Sequence, residues 1–190
     1  KAPVSGNPSD FVKEVTSELI AGRGDQLPVS KMPVDGTFPT ATTQYEKRCV
    51  ALECPEWDPE TCIQCGKCVL VCPHAVVRSK VISEENLKEA DASFVTAPSK
   101  DYPGMRFRIQ ISAEDCTGCG ICVSMCPAKN KKDPARKAIT MASITPIRER
   151  EARNWDFFLK LPELDRSKAK ASVRGVQYLR PLFEFSGACA

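Results

Sequence analysis

Apolar positions recur with a helical period at one place in the chain and with a period of two at several others. Over residues 9–20, Phe11, Val12, Val15, Leu19 and Ile20 fall on one side, which predicts an amphipathic helix with Ser9 as N-cap and Gly22 as its stop. Residues 75–82 read as a short strand. Arg106–Ile111 alternates and puts Phe107, Ile109 and Ile111 on one face, and residues 138–144 form another alternating strand. Between them, residues 84–90 have helical character and Tyr102-Pro-Gly104 signals a turn. Residues 22–60 carry repeated Pro and Gly and predict extended chain and turns. Two aromatic-rich stretches, 154–161 and 177–185, are expected to bury against parts of a longer polypeptide.

Composition narrows the class without naming a function. The chain has 190 residues and 20.9 kDa, with 42% hydrophobic and 27% charged residues, which excludes a wholly disordered or fibrous protein. No run of about 18 apolar residues is present, so no transmembrane helix and no membrane partner is expected. The chain starts at Lys1 without an apolar leader and both ends break off abruptly, so a piece of a longer polypeptide is expected. Lys+Arg 27 against Asp+Glu 24 leaves +3, with the two signs interspersed. The densest basic run (Lys129, Lys131, Lys132, Arg136 and Lys137) reads as a solvated loop, and nucleic acid is not an expected partner.

The cysteines change the picture. Eight of the eleven fall in two runs of identical spacing, C-x2-C-x2-C-x3-C-P. The first is Cys62, Cys65, Cys68 and Cys72 before Pro73, and the second is Cys116, Cys119, Cys122 and Cys126 before Pro127. Disulfides fit poorly, because cysteines two residues apart make a poor ladder and an odd total leaves a free thiol. Zinc ribbons separate their two C-x2-C pairs by a longer spacer than these runs allow. The spacing fits the iron–sulfur run of bacterial two-cluster ferredoxins residue for residue.

The spacing has a geometric reason. A cubane cluster presents iron at four corners, each wanting one soft thiolate. Two-residue gaps let a short loop wrap three corners with its N–H groups turned inward, and Gly66, Gly118 and Gly120 suit so tight a path. The fourth cysteine is expected at the start of a helix, ligating the other cluster. One [4Fe–4S] cluster is therefore assigned to Cys62, Cys65, Cys68 and Cys126, and a second to Cys116, Cys119, Cys122 and Cys72. Pro73 and Pro127 fix the turn after each shared ligand. The expected fold class is α+β: a two-[4Fe–4S] ferredoxin-like domain over residues 56–147, pseudo-symmetric about its clusters, with an insert at 83–105. An N-terminal helix and extended linker over 1–55 and a C-terminal linker over 148–190 flank it.

The flanks carry a more specific signal. Residues 10–25, Leu27-Pro-Val-Ser30, residues 33–39, Tyr45-Glu-Lys-Arg48, Asn154-Trp-Asp-Phe-Phe158, Leu161-Pro-Glu163 and residues 181–189 resemble the pyruvate:ferredoxin (flavodoxin) oxidoreductases, or pyruvate synthases, over essentially the whole chain. The resemblance implies an enzyme that converts pyruvate and coenzyme A to acetyl-CoA and carbon dioxide, passing single electrons through three [4Fe–4S] clusters to ferredoxin or flavodoxin. It implies that this region lies between transketolase-like domains, against one of which residues 1–55 pack, and a thiamine-diphosphate domain into which 148–190 lead. Thiamine diphosphate and Mg2+ then belong to other parts of the parent, a homodimer in its full length. Cys189 is implied as a ligand of the third, proximal cluster, only in the full-length enzyme. No role follows for Cys49 or Cys54.

Charge supports an electron-transfer role independently. Four thiolates on a +2 core give −2 when oxidised and −3 when reduced, so two clusters in one small unit repel each other's electron, and potentials near the ferredoxin value of about −400 mV follow. Ile63, Val69, Leu70, Ile121 and Val123 are expected to shield the clusters. His74, the only histidine, is read as a packing residue beside Cys72 rather than a proton-coupled group. No acid–base or nucleophile set is recognisable. A reducing setting for free thiols points to the cytoplasm. Two classes remain open: an internal wire of a multidomain oxidoreductase, or a self-contained electron carrier or iron–sulfur subunit of another redox complex.

Overall fold

The computed structural model describes residues 4–181 and 186–187. Backbone proximity divides the chain into two units, Lys1–Arg48 and Cys49–Ala190. In the first, the expected helix forms, but with a π-helical stretch Val12–Thr16 running into an α-helical turn α1 (Ser17–Ile20). The Ser9 carbonyl accepts from Lys13 N at 3.1 Å, and Gly22 stops the helix at φ +72°. Val12 and Val15 are buried as expected, whereas Leu19 is exposed. A π-turn carries more residues per turn than an α-helix, so positions beyond it rotate off the original stripe. Phe11 packs edge-on against Phe38 at 5.2 Å, and an isolated bridge joins Val4 to Glu46.

The second unit holds two antiparallel sheets. Strand β1 (Glu53–Trp57) pairs with β5 (Ile139–Ser143), and β2 (Val77–Ile82) pairs with β4 (Arg106–Ile111), whose other edge carries the two-residue β3 (Ala97–Pro98). The strand before each cysteine run thus pairs with the strand after the other run, which gives the expected pseudo-symmetry. Strand β1 was not anticipated. It draws residues 49–55 into this unit rather than into an N-terminal extension ending at 55. Pro55 is tolerated because β1 has a single neighbour.

Helices α2 (Lys67–Leu70) and α3 (Ile121–Met125) pack on one another. Each begins after a left-handed glycine (Gly66, φ +74°; Gly120, φ +72°) and stops before its run's fourth cysteine. Cys72 and Cys126 therefore follow a helix rather than start one. The cause is the proline behind each, which disfavours helical backbone at the preceding residue; Cys126 is extended at φ −70°, ψ 119°.

The C-terminal segment departs most from expectation. Helix α4 (Arg148–Lys160) buries Glu151, Asn154, Trp155 and Phe158, a single face at i, i+3, i+4 and i+7, and packs on β4. Trp155, Phe158 and Leu161 join Ile82 and Phe94 in a second core within this chain, and Tyr178 is buried in the first core. The described aromatics of the two stretches thus bury within this chain rather than against a missing part, and Phe183 and Phe185 lie outside the described residues. The alternation of β4 marked two buried faces: Phe107, Ile109 and Ile111 look into the first core, while Arg108 and Gln110 are covered as well. The Arg108 guanidinium lies 4.2 Å from the Phe94 ring centroid, and Lys80 Nζ lies 4.9 Å from that of Phe158.

Within the 83–105 insert, a 3-10 turn (Glu84–Leu87) replaces the expected helix, and Tyr102 O accepts from Met105 N to close the expected turn. Asp101 ties the insert to the C-terminal segment. It accepts from Tyr178 Oη at 2.9 Å and Lys170 Nζ at 3.1 Å, and it pairs with Arg174. The basic run is an exposed loop closed by a bridge between Lys129 and Lys137.

Candidate functional site

Two voids of similar size, about 350 and 310 Å3 including their open mouths, lie inside the second unit. The first is lined by Cys72, Cys116, Cys119 and Cys122, together with His74, Val77 and Met141. The second is lined by Cys62, Cys65, Cys68 and Cys126, together with Trp57, Ile109 and Ile139. Each void thus gathers three cysteines of one run and the fourth cysteine of the other. Among the described residues no group of three or more His, Cys, Asp or Glu side chains converges as ligands of a single ion would.

The loops that carry them are built alike. Gln64 N donates to Cys62 Sγ at 3.3 Å and Gly118 N to Cys116 Sγ at 3.4 Å, one inward N–H at the same place in each loop. Both residues are left-handed, at φ 58° and 74°. At Gly118 a Cβ would sit 3.2 Å from the Glu53 carbonyl of β1, a tight contact that adds to the strain a side chain would meet at φ 74°. Gln64 has room for its side chain. Its amide donates to Pro98 O at 2.7 Å and accepts from Lys100 N at 2.9 Å, bonds that offset the backbone strain and anchor the insert to the loop.

Burial pushes the thiols of Cys62, Cys68 and Cys122 up, the last to about 11. Cys54 is wholly buried on β1, its Sγ 3.8 Å from Pro55 O; the neighbouring Cys116 and burial push the Cys54 thiol up, while Cys54 holds Cys116 down, to about 7, against the opposing effect of burial. Thiols so placed ionise only against a cation that repays the desolvation, and iron–sulfur binding supplies one. One polar atom fits that chemistry. Trp57 Nε1 is buried without a hydrogen-bond partner, in a ring that lines the void with Cys62.

Shielding is uneven. Val69 and Val123 pack on the core, Ile63 and Ile121 line the voids with their outer surfaces exposed, and Leu70 is exposed and lines neither. His74 lines the void with Cys72. The C-terminal segment crosses both loops: Gln177 Cγ would lie 3.3 Å from a Cβ on Gly66, Gly187 N donates to His74 O at 2.8 Å, and Ser186 Oγ bonds the Asp115 carboxylate. Cys189 lies outside the described residues. Cys49 bonds through its backbone to Glu114 O.

The sequence reading missed Trp57, Gln64 and Cys54 as neighbours of the site. The internal repeat carried the signal for the first. All four cysteine pairs stand 54 residues apart (116 − 62, 119 − 65, 122 − 68, 126 − 72), and the same offset lays Trp57 on Ile111, the last residue of β4.

Comparison with known families and proteins agrees with this geometry. A family described as a 4Fe-4S dicluster domain matches residues 61–130, and one described as a domain of unknown function matches residues 1–51. The chain is 55% identical over 98% of its length to a putative pyruvate-flavodoxin oxidoreductase of Synechocystis, and 48% identical over 98% to a probable pyruvate-flavodoxin oxidoreductase of Escherichia coli. It is 45% identical over 95% to a pyruvate:ferredoxin oxidoreductase of Moorella thermoacetica. It spans 15–16% of these relatives' lengths. The resemblance in the flanking phrases therefore holds across nearly the whole chain. Among the described residues no helix is long and apolar enough to cross a membrane.

Proposed function

We propose that this chain, which carries a 4Fe-4S dicluster domain and matches pyruvate-flavodoxin oxidoreductases nearly end to end, is the electron-transfer region of such an enzyme. In this reading it relays single electrons from pyruvate oxidation to ferredoxin or flavodoxin. The observation that carries the reading is the pair of voids, each walled by three cysteines of one run and the last of the other.

Cys62, Cys65, Cys68 and Cys126 would hold one [4Fe–4S] cluster, and Cys116, Cys119, Cys122 and Cys72 the other. When bound, each cluster supplies a one-electron carrier. The chain's part is to position and insulate. The loop N–H groups of Gln64 and Gly118 turn toward ligand sulfurs and oppose the charge there. The first core excludes water from the inner walls, and the packing of α2 on α3 sets the separation between the two sites. The C-terminal segment covers the loops and, by the resemblance, leads through Cys189 to a proximal cluster. Thiamine diphosphate, Mg2+ and the pyruvate and coenzyme A sites would lie on other domains of a cytoplasmic, homodimeric parent.

A self-contained carrier would be soluble, monomeric and fully competent with a foreign ferredoxin reductase. The proposal expects the opposite division of labour. In the parent enzyme, pyruvate-dependent reduction of ferredoxin should stop on Cys65→Ser although the pyruvate site is untouched. Undiminished electron delivery from that variant would defeat it.

A further inference from the structure

We propose that the Trp57 indole N–H donates a hydrogen bond to a sulfur of the cluster held by Cys62, Cys65, Cys68 and Cys126 and so raises that cluster's reduction potential. The inference rests on the two-cluster reading and goes beyond it. Trp57 ends β1, where it pairs with Ile139. Its ring is fixed edge-on against Phe107 at 5.8 Å and 72°, with the Arg108 guanidinium 5.9 Å from its centroid. Held in that way, the ring forms part of the wall around the four cysteines. Its Nε1 is buried and has no acceptor among the protein's own groups, a state that folded proteins rarely leave unrelieved. A cluster sulfur in the void would be the missing acceptor.

The consequence follows from charge. Reduction adds an electron shared with the cluster sulfurs, so a donor aimed at one of them stabilises the reduced form more than the oxidised form. The equivalent position in the other half, Ile111, has no donor at all.

The test is an anaerobic, EPR-monitored redox titration of the protein carrying its clusters, wild type against Trp57→Phe, which keeps an aromatic ring and deletes the donor. Iron and sulfide are counted first. A wild type lacking two clusters defeats the underlying reading rather than this inference. With both clusters present, one couple in Trp57→Phe should move to lower potential, its reduced-to-oxidised ratio at fixed potential falling about tenfold, equivalent to 59 mV for a one-electron couple. The other couple should stay in place. No shift, or equal shifts of both, overturns the inference. Should the variant not assemble, wild type labelled with indole-15N tryptophan decides. A coupling from an indole nitrogen to one reduced cluster is expected, since the other tryptophan, Trp155, packs in the second core. Absence of that coupling overturns the proposal.

Discussion

Replacing Asp101 with Asn should loosen the C-terminal segment from the ferredoxin-like unit. The Asp101 side chain is buried and receives the Tyr178 hydroxyl, Lys170 and Arg174. A hydrogen bond to a charged acceptor contributes ~1.5–3 kcal/mol, and the Tyr178 bond is of that kind. Lys170 and Arg174 are 53% and 43% exposed, so solvent screens them and each counts for under ~1 kcal/mol. The variant keeps an acceptor for Tyr178 but loses the charge and presents an NH2 to cations, a net loss of ~2 kcal/mol. The backbone bonds of Gln177 to Arg174 and of Tyr178 to Gly175 should then open about thirtyfold more often, at tenfold per 1.4 kcal/mol, and hydrogen exchange of those amides reads it. Burial pushes the Asp101 carboxyl up, but the Tyr178, Lys170 and Arg174 contacts outweigh it and hold the carboxyl below its ordinary value. A carboxyl depressed in this way contributes fully above its unfolded value, and the contribution drains away as pH falls through the folded one. The difference between wild type and variant should therefore be complete at pH 7 and vanish in strong acid. Equal protection at pH 7, or a difference that persists unchanged at low pH, would refute the reasoning.

Gly118→Ala should destabilise the second cysteine loop more than Gly120→Ala does the same loop. Both need left-handed backbone, which costs a side chain ~1–2 kcal/mol, but only at Gly118 would the new Cβ meet a carbonyl, 3.2 Å away. Comparing the rates of iron loss from the two variants checks the order. Phe158→Ala, at a residue 1% exposed in the second core, should cost ~3–5 kcal/mol in denaturant unfolding, whereas a Phe158 packed only against another domain would cost the isolated chain almost nothing. Anaerobically prepared chain should contain about eight irons and eight sulfides, and stoichiometric zinc in their place would contradict the account.

The features legible in the sequence are those whose physics is local. Metal-ligand spacing is a constraint within about ten residues, so the eight cysteines declared the chemistry alone. Strand β4 alternates without interruption and was located to the residue. Strand β1 escaped because Pro55 and the surrounding turn-rich composition mask it, although the 54-residue repeat lays it on β4. The α4 aromatics show a different limit. A sequence reveals that Trp155 and Phe158 need a partner but not whether the partner is Ile82 in the same chain or another domain. Alternation likewise cannot tell a solvated face from one roofed by a helix, so the burial of Arg108 and Lys80 was not legible in it. Trp57 belongs to no motif, and only the three-dimensional void connects it to Cys62.

The crossed ligation is the centre of the account, and Cys72→Ser examined by Mössbauer and EPR spectroscopy tests it most directly. The residue belongs to the first run by sequence and lines the void of the second. Cys65→Ser and Cys119→Ser supply reference signatures for damage to either cluster. Cys72→Ser should reproduce the Cys119→Ser signature and leave the cluster of its sequence neighbours Cys62, Cys65 and Cys68 nearly intact, with Cys126→Ser doing the reverse. A Cys72→Ser spectrum matching that of Cys65→Ser, with the Cys116, Cys119 and Cys122 cluster undisturbed, would contradict it.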